Sequence, residues 1–339
     1  MAEGRSRNPV LWAATAAGLG AVSVGLNLAG RRQRRRWEAN PDPLQGRIPR
    51  FPDGDYHTVT MDDGARISIV HARGVTNGAD RPVEVRAPVV LVHGLTANVD
   101  DWGPVAERLV ARGFDVVGID LRGHGRSTLG SDRFTPLRLS HDLAAVLEAL
   151  DLRRAVLAGH SMGGMTVLAL ATGRPEVMAE RVAGLALLST SANLDQLRFR
   201  LTIPVGSQLS LAVPDLLDET VPVLGVAALS AFGERPSHFM LTQAVDSFQR
   251  CPPETRRAAT AGLLRFSVAD RLDGITVPTL VVCGTQDLVV PFGHSERLAE
   301  SIAGARLVAL PGAGHIIPWE RPDHVADEIA RLTAEAAAG

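Results

Sequence analysis

The stretch that decides the fold is Ala155–Thr172, which reads AVLAGHSMGGMTVLALAT. It starts with a continuously apolar run and ends with an apolar helical pattern, and between the two lies Gly159-His160-Ser161-Met162-Gly163-Gly164. In a G-x-S-x-G turn between a buried strand and a helix, the serine takes strained backbone angles and the glycines make room for the neighbouring elements. We therefore predict that Ser161 is exposed at the top of a sheet, with Gly159 and Gly163 supporting the turn.

Short apolar runs like the one before this turn recur along the chain. Continuous apolar runs of this length are typical of strands buried on both faces. Helical patterns such as Leu137–Leu150 separate them, and this βαβα alternation predicts an α/β fold with a mostly parallel central sheet flanked by helices. Before these strands in the sequence, two segments alternate apolar and polar residues as the strands of a β-hairpin do: Tyr56–Met61 and Arg66–His71. The predicted buried strands are Val89–Val92, Val116–Ile119, Ala155–Ala158, Leu185–Leu188 and Leu280–Val282.

One interval interrupts the alternation. Residues 192–274 have helix-like segments punctuated by prolines and no buried-strand pattern, which predicts an inserted helical unit. The core is then expected in two pieces, residues 55–191 and 275–339. Residues 37–54 hold four prolines with little periodicity and are predicted to be an extended linker.

The N-terminal residues 1–36 differ from the rest in composition. Val10–Ala29 is a 20-residue stretch without charge, and five arginines follow it directly. This length just spans a bilayer core, so we predict a membrane anchor, with the more basic flank and the folded domain on the cytoplasmic side. A secretory signal peptide or a soluble cytoplasmic protein with a leader are the alternatives. Small residues recur every four positions, which suggests a homodimer contact; they are Ala13, Ala17, Ala21, Gly25 and Ala29.

Composition excludes several classes. The chain has 339 residues, 45% hydrophobic and 21% charged, which excludes collagen-like and wholly disordered proteins. A formal net charge of -2 provides no field for nucleic acid, so we expect no nucleic-acid partner. Cys251 and Cys283 cannot form a disulfide framework and have no neighbouring metal-ligand pattern, so we expect free thiols, no metal and no cofactor.

A serine hydroxyl is a weak nucleophile at neutral pH and needs a histidine base oriented by a carboxylate. Catalytic groups in such sheets follow the carboxyl ends of strands. Asp287 follows the strand Thr279–Cys283, and His315 follows the strand Arg306–Leu310. Because residue type, chain order and placement agree, we predict a Ser161, Asp287, His315 triad.

Acyl transfer also needs two donors for the tetrahedral oxyanion. The N–H of Met162, the residue after the nucleophile, is predicted to be one. The strand Val89–Val92 leads into His93-Gly94-Leu95-Thr96, where Gly94 lets the chain turn back and present the N–H of Leu95 as the second. We expect His93 to be a structural turn histidine.

From Asp55 onward, the chain resembles the α/β-hydrolase fold family of serine hydrolases of the esterase and lipase type. Motifs typical of that family in identity and order carry the resemblance: His93-Gly94, Asp120–Ser127, Gly159–Gly164, Gly284–Asp287 and Gly314-His315. The resemblance implies that Asp120–Ser127 is mainly architectural. It also implies that residues 192–274 are a cap domain over the nucleophile.

Departures from related groups narrow the choice. Epoxide hydrolases and haloalkane dehalogenases have an aspartate where this chain has Ser161, and the only tyrosine, Tyr56, lies outside the cap. Carbon–carbon bond hydrolases typically have tryptophan where Ile316 stands, and lipases of the HGGG type are not matched by His93–Thr96. Cofactor-free haloperoxidases and prolyl aminopeptidases remain as alternatives.

We therefore expect a cofactor-independent enzyme that cleaves a small-molecule carboxylic ester through an acyl-enzyme. The apolar stretch Pro222–Phe232 in the cap favours an acyl pocket, with short-to-medium acyl esters or acylglycerols as substrates. Two other classes are retained: a non-catalytic hydrolase-fold protein that binds a ligand, and a membrane-tethered scaffold.

Overall fold

The computed structural model of the protein describes residues 35–75, 87–193 and 230–338. These residues form an eight-stranded sheet in which the strands follow the order β1-β2-β4-β3-β5-β6-β7-β8. The first three in this order pair antiparallel and the rest pair parallel. The strands are β1 (Asp55–Thr60), β2 (Arg66–Ala72), β3 (Val89–Val92), β4 (Val116–Ile119), β5 (Ala155–His160), β6 (Val182–Leu188), β7 (Thr279–Gly284) and β8 (Arg306–Leu310).

Helices cover both faces of this sheet, so the predicted α/β fold class is confirmed. Two short 3-10 helices, Val99–Trp102 and Ala269–Gly274, accompany them. The α-helices are α1 (Gly103–Ala111), α2 (Pro136–Ala149), α3 (Met162–Gly173), α4 (Pro175–Arg181), α5 (His238–Arg250), α6 (Pro253–Leu263), α7 (Gly293–Ser301), α8 (Ile317–Glu320) and α9 (Pro322–Ala338).

Each central strand contributes alternate side chains to two hydrophobic cores, because successive side chains of a strand point to opposite faces. In β3, Val89 and Leu91 pack with α1 and α9, whereas Val90 and Val92 pack with α2 and α3. All four side chains are fully buried. This two-sided burial explains why the sequence shows continuous apolar runs rather than alternation.

In the interval predicted to be a helical insertion, the structure describes residues 192–193 and 230–274, and residues 194–229 lie outside the described part. The described residues contain α5, α6 and the second 3-10 helix, and an isolated bridge between Asn193 and Ser267 joins two parts of this interval. Leu263 of α6 joins the core beside α2 and α3. The division into core and cap therefore stays a prediction.

The proline-rich residues 37–54 contact the folded domain along their length. Leu44 and Phe51 are buried, and Asn40 donates through Nδ2 to the carbonyl of Pro236 at 2.8 Å. The N–H of Phe51 donates to Asp100 at 2.9 Å. The segment predicted to be a linker thus packs against the 3-10 helix that precedes α1 and against the residues just before α5.

Within residues 35–75, 87–193 and 230–338, no helix combines the length and the apolar character needed to cross a bilayer. The predicted anchor, Val10–Ala29, lies outside these residues, as does the stripe of small residues predicted to pair two copies.

Candidate active site

The turn between β5 and α3 holds Ser161 in an unusual backbone conformation. Its φ is 53° and its ψ is -117°, a region that residues other than glycine rarely occupy. A Cβ on Gly159 would lie 2.5 Å from the carbonyl oxygen of Gly163, and one on Gly163 would lie 2.1 Å from that of Val92. Strand and helix backbones therefore meet at distances that only glycine permits, and the serine is turned out at the end of β5.

The structure brings the three residues predicted as a triad into one hydrogen-bonded chain. His315 Nε2 lies 2.9 Å from Ser161 Oγ, and His315 Nδ1 lies 2.8 Å from Asp287 Oδ2. Asp287 accepts the N–H groups of Val289 and Val290 through its other oxygen, at 2.9 and 2.8 Å. With the imidazole proton on Nδ1, the ring donates a hydrogen bond to Asp287, and its Nε2 accepts a hydrogen bond from the Ser161 hydroxyl.

The loop that carries His315 is held by contacts far away in the sequence. The N–H groups of His315 and Ile316 both donate to the carbonyl of Ala231, at 2.8 and 3.2 Å. The buried carboxylate of Glu320 accepts the N–H of Gly314 at 3.0 Å and the N–H of Gly233 at 2.9 Å. One carboxylate therefore joins the histidine loop to the segment that precedes α5. Burial raises the pKa of Glu320 above its usual value, although both N–H bonds lower it.

His160, the residue before the nucleophile, supports the same loop. Its Nε2 lies 2.8 Å from the carbonyl oxygen of His315, and the two rings are 4.9 Å apart. Burial, followed by the nearby His315, lowers the pKa of His160 to about 3, so the ring is neutral around pH 7. A neutral ring can donate from Nε2 to the carbonyl without placing a second positive charge beside His315.

Both N–H groups predicted to bind the oxyanion belong to segments next to Ser161. Met162 is the first residue of α3, and the first N–H groups of a helix have no partner within it. Leu95 follows Gly94, where an added Cβ would lie 3.3 Å from the Cβ of Ser161. The loop after β3 therefore runs directly against the nucleophile, and a side chain at position 94 would crowd it.

His93 fixes the base of that loop, as expected of a structural turn histidine. Its Nε2 accepts the N–H of Leu121 at 3.0 Å, which leaves Nδ1 to donate to the carbonyl of Gly94 at 2.7 Å. Complete burial lowers the pKa of His93 well below its usual range, so the ring is neutral. The adjoining segment 120–127 is bonded internally, since Asp120 accepts the N–H of Arg126 at 2.8 Å.

A cavity of about 320 Å³ opens over Ser161. Its walls are mainly apolar and come from the loop after β3, from α5 and α6, and from the segments that follow β7 and β8. Asp101 is the one acidic side chain among the described residues that line it. The apolar and sulfur-containing lining residues are Leu95, Ala97, Trp102, Met162, Met165, Ala231, Ala244, Phe248, Leu263, Val289, Val290, Ile316, Pro318 and Trp319.

Sequence reasoning missed Asp101, Ser247 and Glu320 at this site; Ala231 lies in the stretch 222–232 predicted to face the acyl chain, but its bonds to the histidine loop were not predicted. Only Asp101 had a local signal, the capping pattern Asn98-Val99-Asp100-Asp101. In the part of the chain that the structure describes, no group of three or more histidine, cysteine, aspartate or glutamate side chains is arranged to hold a metal ion.

Comparison with known proteins agrees with this architecture. The sequence model of the α/β hydrolase fold matches residues 87–322. The chain belongs to the α/β-hydrolase fold family and is a hydrolase-fold enzyme, which confirms the resemblance found in the motifs.

Three similar proteins show the range of activities nearby. The chain is 32% identical over 244 residues to a non-heme chloroperoxidase of Burkholderia pyrrocinia, covering 67% of this chain and 84% of that protein. It is similar to a thermophilic esterase from Thermogutta terrifontis, with 26% identity and a TM-score of 0.67, covering 84% and 99% of the two chains. It is also similar to an enol-lactonase from Burkholderia xenovorans LB400, with 26% identity and a TM-score of 0.65, covering 82% and 100%.

Proposed function

We propose that the protein is a cofactor-independent serine hydrolase that cleaves carboxylic esters through an acyl-enzyme. The observation that carries this proposal is the unbroken chain from Ser161 Oγ through both nitrogens of His315 to Asp287. Two similar proteins are named as an esterase and an enol-lactonase, and both names denote cleavage of an ester bond. This similarity supports the same chemistry.

In the proposed reaction, Ser161 Oγ attacks the ester carbonyl carbon while His315 Nε2 takes the hydroxyl proton. Asp287 stabilises the imidazolium, and the N–H groups of Leu95 and Met162 donate to the oxyanion. The carbon–oxygen bond to the alcohol then breaks, and the alcohol leaves with the proton from His315. Water attacks the acyl-enzyme with His315 as its base, which releases the carboxylic acid and restores Ser161.

The cavity supports short-to-medium acyl esters or small acylglycerols as substrates. At about 320 Å³ it is near the lower end of the range usual for ligand sites, and its lining is mainly apolar. Of the stretch 222–232 predicted to face the acyl chain, residues 222–229 lie outside the described part. Ala231 lines the cavity, whereas Phe232 packs against Trp319.

A fluorophosphonate probe tests the nucleophile directly. The purified protein is expected to become covalently labelled, and Ser161→Ala to abolish labelling while its thermal unfolding stays unchanged. Losing this hydroxyl should reduce kcat for p-nitrophenyl butyrate by about 10⁴- to 10⁶-fold. Absence of labelling in the wild-type protein would instead favour the non-catalytic, ligand-binding class.

The chain offers a matched control, a second buried serine–histidine pair. Ser191 Oγ lies 2.7 Å from His294 Nδ1, but Ser191 is fully buried and does not line the cavity. Ser191→Ala should keep the label, because this serine has no access to a substrate. Labelling that moves from Ser161 to Ser191 would contradict the assignment.

The second candidate function is that of a cofactor-free haloperoxidase, favoured by the 32% identity to the chloroperoxidase. In that case hydrogen peroxide would replace water in the second step and release a peracid. Running the ester panel beside a peroxide-dependent halogenation assay and a prolyl amide decides among esterase, haloperoxidase and aminopeptidase.

We also propose that Val10–Ala29 tethers the enzyme to a membrane with its hydrolase domain in the cytoplasm. The support is the uncharged 20-residue length and the five arginines that follow it. The full chain should fractionate with membranes and a version that starts at Trp37 should not. Recovery of the full chain in the supernatant at low salt would refute the tether.

A further inference from the structure

The wall of the cavity contains a carboxylate that the proposed reaction does not use. Asp101 belongs to the first 3-10 helix, and its backbone carbonyl accepts the indole N–H of Trp319 at 2.8 Å. Beside it, Ser247 of α5 has its hydroxyl 3.5 Å from both carboxylate oxygens. Both side chains line the cavity that contains Ser161.

One oxygen of this carboxylate has a structural task. Asp101 Oδ2 accepts the N–H of Asn98 at 2.8 Å, which is half of a capping box at the start of the 3-10 helix. The other half is the Asn98 side chain, which accepts the N–H of Asp100 at 2.8 Å. The capping box therefore accounts for one oxygen of Asp101 and leaves the other without a task.

That second oxygen, Oδ1, has only a long contact. The Ser247 hydroxyl donates to the carbonyl of Thr96 at 3.1 Å, so its proton is already in use. Burial raises the pKa of Asp101 to about 7, although the Asn98 bond and the nearby Arg250 lower it. A carboxylate in a mainly apolar cavity with one strong donor lacks the hydrogen bonds that usually compensate for lost water.

We propose, on the basis of the proposed function, that Asp101 and Ser247 form a polar subsite that selects ester substrates carrying a hydroxyl group. The hydroxyl of the substrate donates to Asp101 Oδ1, and the Ser247 hydroxyl, 3.5 Å from that oxygen, is its polar neighbour. Because the pKa of Asp101 is about 7, both the neutral and the ionised carboxyl occur near neutral pH, and a hydroxyl can bond to either form whereas an ammonium group needs the ionised one. The remaining wall binds the hydrocarbon part of the substrate.

The test compares three esters of similar size: ethyl butyrate, ethyl 3-hydroxybutyrate and 2-hydroxyethyl butyrate. The measured quantity is the ratio of kcat/KM for a hydroxylated ester to kcat/KM for ethyl butyrate. At a pH of about 8.5, where a carboxyl with a pKa of about 7 is ionised, the strength of hydrogen bonds to charged groups predicts that Asp101→Ala lowers this ratio by roughly tenfold or more for at least one hydroxylated ester. Effects on folding or on the triad change all three esters alike and cancel in the ratio.

Two further variants separate substrate selection from helix capping. Asn98→Ala removes the other half of the capping box and leaves the carboxylate in the cavity, so the ratio should stay within twofold of wild type. Asp101→Asn should retain part of the hydroxyl preference, because its amide keeps the bond to the Asn98 N–H and still offers a polar group to the cavity.

An unchanged ratio in Asp101→Ala for both hydroxylated esters would overturn the inference, as would an equal fall of the ratio in Asn98→Ala. These outcomes leave ester hydrolysis intact. If the wild-type protein hydrolysed none of the three esters, the result would instead refute the proposed function and the subsite with it.

Discussion

The turn around Ser161 and the loop around His315 meet at 2.9 Å, yet they are held in place differently. The turn is part of one continuous stretch, β5 followed by α3, and its shape follows from close backbone contacts at Gly159 and Gly163. The loop around His315 depends on Ala231 and Glu320, which come from other segments. The nucleophile is thus positioned by a strained turn and close backbone packing, and the base by hydrogen bonds from separate segments.

Among the contacts that hold His315, the one with its carboxylate should have the largest effect on activity. In Asp287→Asn the amide cannot stabilise the imidazolium and favours the wrong tautomer of His315. We expect kcat to fall by about 10³- to 10⁴-fold with little change in the free energy of unfolding. Steady-state kinetics on p-nitrophenyl butyrate between pH 6 and 9 measures this, and an unchanged pH–rate profile would point to a different carboxylate.

A substitution in the turn around Ser161 should instead lower the stability of the fold. A Cβ on Gly163 would lie 2.1 Å from the carbonyl oxygen of Val92, so Gly163→Ala must displace backbone and should reduce the free energy of unfolding by roughly 3 kcal/mol or more. Urea denaturation provides the measurement.

Gly173, at the other end of α3, is the matched control. An added Cβ there meets nothing within 4 Å, so Gly173→Ala should leave stability unchanged or slightly raised. If both glycine variants unfolded at the same urea concentration, close packing would not explain the shape of the turn.

The smallest effect should come from Glu320, through the position of His315. In Glu320→Gln the amide NH₂ replaces one accepting oxygen and opposes a backbone N–H, which removes about 1 kcal/mol of positioning energy. We expect kcat to fall roughly fivefold with KM unchanged, since the histidine acts in the chemical step. Glu335→Gln, the same substitution at an exposed site on α9, should have no effect.

The same variant has a characteristic pH dependence. Burial raises the pKa of Glu320 in the folded state above the 4.5 of the free side chain, so the folded protein holds this proton more tightly than the unfolded chain does. The contribution of Glu320 to the free energy of unfolding therefore decreases as pH rises above about 4.5. The stability advantage of wild type over Glu320→Gln should shrink between pH 4.5 and 7.5, and an advantage that grew with pH would contradict the assigned shift.

This contrast also explains how far sequence reasoning reached. Strands β3 and β4 were predicted to the residue, because they are short and apolar at nearly every position. Strand β6 begins at Val182 rather than at the predicted Leu185, since Gly184 interrupts the apolar run while the backbone pairing continues. Apolar periodicity reports burial of side chains and does not report where a ladder of backbone hydrogen bonds begins.

At the site, the three predicted triad residues are each marked by a motif beside a strand end, and the structure brings all three together. No such sequence motif indicates the contacts of Glu320, Ala231 and Ser247. Ala231 acts through its backbone carbonyl, which any residue has, and Glu320 and Ser247 act across contacts between distant segments. Sequence patterns describe neighbours along the chain, so pairings of this kind become visible only in the folded protein.

The contact between Ala231 and the loop around His315 determines where segments can be exchanged between related enzymes. A Cβ on Gly314 would lie 2.4 Å from the backbone nitrogen of Gly233, so the two backbones touch, and Glu320 holds both. A chimera that takes the first part of the predicted cap from another enzyme, up to a junction after Glu234, would replace half of this contact, so the transplanted segment would have to fit the histidine loop of this chain. A junction before Ala231 keeps Ala231, Gly233 and their partners from one parent, and such a chimera should retain the position of His315 whatever segment replaces the residues before the junction.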